Sequence, residues 1–123
     1  LLTARKHLGL MPPEPVQHAM AVALGDDEHV AAQKELYRHR RDILRPALEA
    51  AGFRIDGSEA GLYLWATEGQ DAWVSVARLA DLGILAGPGP FYGPYSPQHV
   101  RLALTAPSER IAEGARRLHA QAL

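Results

Sequence analysis

Between Gly87 and Pro97 the chain places three glycines and four prolines in eleven residues, and a cleanly alternating stretch follows directly. Proline lacks the backbone N–H and fixes φ, so this segment continues neither a helix nor a central strand. It reads as an irregular, shaped loop delivering the chain into a strand. From His99 to Thr105, Val100, Leu102 and Leu104 point to one face, and His99, Arg101, Ala103 and Thr105 to the other. Whatever this chain folds into must therefore carry a half-buried strand beside a rigid Gly/Pro loop.

The rest of the chain falls into two textures. Residues 1 to 52 have helical spacing. A first helix ends near Gly9 and the Pro12-Pro13 pair, and Pro15 suits the first turn of a second helix that Gly25 closes. Asp26 or Asp27 caps a third, whose stripe is Val30, Tyr37, Leu44, Leu48 and Ala51. Pro46 is expected to kink it. Residues 53 to 105 alternate strand and helix. Phe53 to Ile55 is a short strand and Gly57-Ser58 a turn. Leu62 to Trp65 is a strand with two rings on one face and two leucines on the other. Asp71 caps a helix with Trp73, Val76, Ala77 and Ala80 expected inward, ending at Gly83. Ile84 to Ala86 reads as a buried strand. A last helix carries Ile111, Ala115, Leu118 and Ala122, with Thr105 or Ser108 as its cap. The expected class is α+β: a small, mostly antiparallel sheet of three or four short strands packed with helices, preceded by a long kinked helix.

Length and composition bound the function. The chain has 123 residues, 13 basic and 14 acidic, a net charge of −1, and 47% hydrophobic residues. That is one globular domain with a real core. The charge balance argues against a phosphate-backbone binder, and no apolar run approaches the length of a bilayer span. With no cysteine, thiolate nucleophiles, disulfides and Cys-based zinc sites are out. The chain opens inside an apolar helical stretch without an initiator Met, as expected of a fragment.

Candidate chemistry is sparse. No pair of the six histidines has zinc-ligand spacing, so no metal site is expected. The cluster Arg38-His39-Arg40-Arg41 lies among Glu35, Asp42 and Glu49 and reads as a solvated helix face. No serine sits in a nucleophile elbow, and Gly87-Pro88-Gly89-Pro90 lacks the N–H donors of a phosphate cradle. Lys6 and Lys34 lie among polar neighbours, unlike a lysine activated by burial. Arg101 stands apart. A guanidinium in the middle of a strand between Val100 and Leu102 needs a planar anionic partner. That partner is either an internal carboxylate or the carboxylate of a bound small molecule, and spacing does not choose between them.

The ordered set Gly61-Leu62-Tyr63-Leu64-Trp65, Leu82-Gly83-Ile84-Leu85, Pro88-Gly89-Pro90-Phe91-Tyr92-Gly93-Pro94 and His99-Val100-Arg101-Leu102-Ala103-Leu104 resembles the C-terminal part of class I/II aminotransferases of fold type I. Met11 to Ala19 is similar to the start of that family's long helix joining its large and small domains. The resemblance implies that residues 1–25 end the large-domain segment and make the connection, and that 26–123 form the small domain. It implies that Arg101 binds the substrate α-carboxylate and that Tyr92 and Gly93 line the substrate pocket. It also implies pyridoxal 5′-phosphate as cofactor, bound mainly by a large domain carrying the Schiff-base lysine, and a cytoplasmic homodimer. Pro12 and Pro13 stand where the family has a small polar side chain near the cofactor phosphate, so that role is not carried over. The implied reaction moves an amino group between an amino acid and a 2-oxo acid. The nearest type is the actinobacterial enzyme for N-succinyl-LL-2,6-diaminopimelate and 2-oxoglutarate in lysine biosynthesis. Alternatives are a transaminase of the same class for aspartate, aromatic amino acids or methionine, or a non-catalytic α+β ligand-binding module. As a fragment, the chain alone is expected to expose an apolar patch and to associate.

Overall fold

The computed structural model describes residues 1–121, so Ala122 in the expected stripe of the last helix lies outside the described residues. The chain divides into two compact units, Leu1–Lys34 and Glu35–Leu123. The first holds helices α1 (Leu2–His7) and α2 (Glu14–Leu24) and the start of α3 (Asp27–Ala50). Pro15 occupies the first turn of α2 and Gly25 its C-cap, as the sequence predicts. Asp26 Oδ1 accepts the His29 N–H at 2.8 Å and so caps α3. The break at Gly25 makes two helices of what the resemblance to a single long connecting helix implies.

The second unit is a four-stranded antiparallel sheet with helices on one face. Its strands are β1 (Arg54–Ile55), β2 (Tyr63–Thr67), β3 (Gly87–Pro88) and β4 (His99–Ala103), in the order β1-β2-β4-β3. The class is α+β, as expected. Leu64 opposes Leu102 and Ala66 opposes Val100, and these four are buried. They join Leu44, Ala47 and Leu48 of α3, Ala72 and Leu79 of α4 (Ala72–Asp81), and Ile111, Ala115 and Leu118 of α5 (Ser108–His119) in one core. Each fully buried Leu or Val stabilises the unit by about 1.5–3 kcal/mol. Pro46 does not end α3. It stands at an exposed position of the helix, and its missing N–H leaves the Asp42 carbonyl without a helical donor. Among the described residues no helix is long and apolar enough to cross a membrane.

Several expectations need correcting. Asp71 does cap α4, accepting from Trp73 N at 2.8 Å. The buried face of α4 is nevertheless Ala72, Ser75 and Leu79, while Trp73, Ala77 and Ala80 are exposed. Ala72, Ser75 and Leu79 take the inner face, and the Trp73 indole instead meets the Phe91 ring edge to face, with centroids 5.5 Å apart. Ile84 to Ala86 is not a strand, and Leu85 is 95% exposed. The ladder starts two residues later, at Gly87 and Pro88, which an edge strand tolerates. The Gly/Pro segment is also more regular than expected, because Gly89–Tyr92 forms a 3-10 turn. Neither Thr105 nor Ser108 caps α5. Pro107 precedes it without a side-chain cap, and the Ser108 hydroxyl instead accepts from Arg40.

Arg40 overturns the solvated-face reading of the basic cluster. Only 8% exposed, it donates from Nε to Ser108 Oγ at 3.1 Å and from Nη1 to the Leu104 carbonyl at 3.0 Å. It ties α3 to the junction of β4 and α5. Arg41 donates to the Gly61 carbonyl at 2.7 Å, anchoring the loop that enters β2. Arg38, paired with Glu35 at 2.7 Å, keeps the solvent-facing role.

Gly89 shows why the 3-10 turn needs its glycine. A Cβ there would enter the contact distance of the Ser96 and His99 carbonyl oxygens, which are backbone atoms with little freedom to retreat. Gly89→Ala is therefore expected to destabilise the fold by about 1–3 kcal/mol, the usual cost of overpacking. Chemical denaturation measures it; a variant as stable as the parent would contradict this close packing.

Candidate functional site

The sheet face opposite the core gathers the candidate site residues. Antiparallel partners share a face, so the register setting Trp65 against Arg101 also puts Tyr63, Thr67 and His99 on that side. On the far side of β4, Gly87 opposes Arg101. With no side chain at Gly87, the 3-10 turn folds the Tyr92 ring over the gap. A Cβ on Gly87 would lie 2.9 Å from the Tyr92 hydroxyl. A glycine in one strand and an aromatic residue five positions later thus build one wall.

The Arg101 guanidinium carbon lies 4.2 Å from the Tyr63 ring centroid and 5.0 Å from that of Tyr92. Ring faces attract the cation through their quadrupoles. They take up none of its N–H donors. Among the described residues no carboxylate forms an ion pair with Arg101, and its Nε is buried without a hydrogen-bond partner. A buried donor left unmade costs about 1–3 kcal/mol, which a bound acceptor recovers. A planar carboxylate suits the fork, because two parallel N–H···O bonds match its geometry.

Trp65 meets the Tyr92 ring edge to face, with centroids 5.6 Å apart and planes at 80°. Trp65 also stacks on His99, with centroids 5.3 Å apart and planes at 8°. His99 Nε2 lies 3.0 Å from Asp56 Oδ2. Asp56 also accepts two bonds from Arg54, both at 2.9 Å. The Arg54 guanidinium, and then His99, hold the Asp56 carboxyl well below the usual carboxylate range. Asp56 therefore stays ionised and accepts the His99 Nε2 proton. Ser58 Oγ closes the turn, accepting from Trp65 N at 3.1 Å and donating to the Asp56 carbonyl at 3.2 Å.

Of the residues singled out in the sequence, Arg101 and Tyr92 come together here. Gly93 follows Tyr92 at φ +124°, a conformation that favours glycine, and the space where its Cβ would stand is open. Tyr63, Trp65, His99 and Asp56 were not anticipated as site residues. The alternation that puts both rings of β2 on one face, and His99 with Arg101 on one face of β4, is the signal that finds the first three. Asp56 belongs to a loop and has no such signal.

The described residues do not fit a pyridoxal phosphate site. Lys6 and Lys34 are the only lysines, and both are exposed in the first unit. Pro88 and Pro90 remove N–H groups from the one Gly-rich segment. What these residues offer is a guanidinium with a buried N–H that none of the described residues takes up.

The description "Aminotransferase class I and II" matches residues 2–118. Over 118 residues the chain is 57% identical to the 4-dedimethylamino-4-oxo-anhydrotetracycline transaminase of Streptomyces rimosus, covering 96% of this chain and 33% of that protein. It is also 57% identical over 118 residues to a probable aminotransferase of Mycobacterium tuberculosis, covering 96% of this chain and 28% of that one. Among solved structures, a probable N-succinyldiaminopimelate aminotransferase from Thermus thermophilus superposes with a TM-score of 0.67 at 32% identity, over 80% of this chain and 27% of that one. The chain thus spans about a third of the length of the curated relatives it matches. It belongs to the class I and II aminotransferases.

Proposed function

We propose that these residues are the substrate-gripping part of a pyridoxal-phosphate-dependent aminotransferase, with Arg101 holding the carboxylate of the amino acid and, in turn, of the 2-oxo acid. The observation that carries this is the Arg101 guanidinium lying against two tyrosine rings with a buried N–H unspent. Tyr92 and Gly93 line the pocket beside it. Residues 1–25 make the connection to a large domain, and 26–123 form the small domain. That large domain supplies the lysine and holds the cofactor, which serves this family as an electron sink. Arg101 contributes orientation, fixing one end of the substrate so that its Cα–H bond is presented correctly. The working form is a cytoplasmic homodimer. Leu85 and Tyr95, each 95% exposed, fit a surface that is covered in the whole protein.

Within the class, N-succinyl-LL-2,6-diaminopimelate with 2-oxoglutarate is the substrate pair we assign. The likeness to the Thermus thermophilus protein supports it. The 57% identity to the Streptomyces rimosus transaminase favours a second reading, amination of a ring ketone of an anhydrotetracycline. Assaying the full-length protein against both pairs separates them. Turnover of the succinylated amino acid alone is expected; turnover of the anhydrotetracycline ketone alone overturns the assignment.

Two substitutions in the full-length protein test the grip. Arg101→Lys keeps the charge and loses the fork, so kcat/KM is expected to fall about 10- to 100-fold for donor and acceptor alike. An unchanged kcat/KM refutes the role. Gly87→Ala displaces the Tyr92 ring from the guanidinium. KM is expected to rise about threefold or more while the denaturation midpoint moves little, because the phenol end is free to swing. An unchanged KM shows that Tyr92 adds nothing to the grip.

A further inference from the structure

Trp65 is the direct cross-strand partner of Arg101 on the same face of the sheet. Directly opposed side chains in an antiparallel pair are the closest neighbours a sheet provides. Tryptophan is also the best aromatic acceptor for a guanidinium. The guanidinium nevertheless lies over Tyr63 and Tyr92, while the Trp65 ring is turned to stack in parallel on His99. Something holds the indole away from its most natural partner.

The holder is visible. The His99 ring has two restraints. One is the ionised Asp56, 3.0 Å from Nε2; the other is the face of Trp65. Its Nδ1 is buried and has no hydrogen-bond partner among the described residues, so Asp56 is the one hydrogen-bond partner of the ring there. Asp56 is itself fixed by the two bonds from Arg54, and Ser58 joins the Asp56 carbonyl to the Trp65 amide. One short loop thus sets both the acceptor that orients His99 and the strand position of Trp65.

We propose that His99, anchored by Asp56, is a positioning residue that keeps the Trp65 ring off the Arg101 guanidinium and so leaves its N–H edge free for a substrate carboxylate. This rests on the reading of Arg101 given above. Without the His99 ring, Trp65 turns onto Arg101 and competes with the carboxylate for the space around the guanidinium. The chemical step is untouched, so the cost falls on binding.

The test is a double-substitution cycle in the full-length protein. It is read as KM for donor and acceptor, as kcat, and as the calorimetric dissociation constant of maleate, a carboxylate that does not react. His99→Ala is expected to raise both KM values and the maleate constant about tenfold with kcat within about twofold. His99→Gln keeps a donor for Asp56 but no stacking ring, and it is expected to do the same should the alanine variant fail to fold. In a Trp65→Leu background, where no indole remains to intrude, His99→Ala is expected to change nothing further. A purely structural role for His99 would lower kcat or stability equally in both backgrounds, and that additivity overturns the proposal. So does a histidine variant with unaltered maleate binding while Arg101→Lys weakens it, a result that leaves Arg101 in its role and removes His99 alone. Arg101→Lys without effect removes both.

Discussion

The ladder between β2 and β4 is the constraint from which the rest follows. Its register sets Leu64 against Leu102 and Ala66 against Val100 on the helix-covered face, and Trp65 against Arg101 on the other. Strand side chains alternate, so a slip of one residue would drive the arginine into the core and bring leucines out. The energetic penalty for that slip is what pins the guanidinium where it stands. Core packing and the proposed substrate grip are therefore two faces of one pairing.

Arg101, half-buried, differs from Arg40, the buried arginine of the same unit. Arg40 donates from Nε to the Ser108 hydroxyl and from Nη1 to the Leu104 carbonyl, and these bonds lock α3 onto the sheet. Arg101 has rings beneath it and a donor to spare. On the reading proposed for Arg101, one residue type serves folding in one place and recognition in another. What decides is whether nearby oxygens of the protein take up the N–H groups.

How far the sequence spoke for itself depends on the range of the forces involved. Short-range signals held well. Gly25 closed α2, Asp71 capped α4, and the alternation from Val100 to Leu104 put the right residues inward. Arg101 drew notice for the same reason, since a charge in a half-buried strand is visible from its neighbours alone. What failed depended on contacts distant in sequence. Arg40 looked solvated because its partners lie 64 and 68 residues away. Trp73 looked inward because it is large and apolar, yet Ala72, Ser75 and Leu79 take that face and its indole meets the Phe91 ring. The pairing of Asp56 with His99, 43 residues apart, exists only once β1, β2 and β4 are side by side. The 3-10 turn at Gly89 needed knowledge of the carbonyls it rests against.

The central claim is that the free edge of Arg101 receives a substrate carboxylate. A crystal structure of the full-length protein with maleate bound tests it most directly. The account predicts one carboxylate of the ligand in the plane of the Arg101 guanidinium, with both oxygens at about 2.7–2.9 Å from its nitrogens. An Arg101 side chain paired instead with an aspartate or glutamate of the protein, the ligand carboxylate held elsewhere, would contradict it.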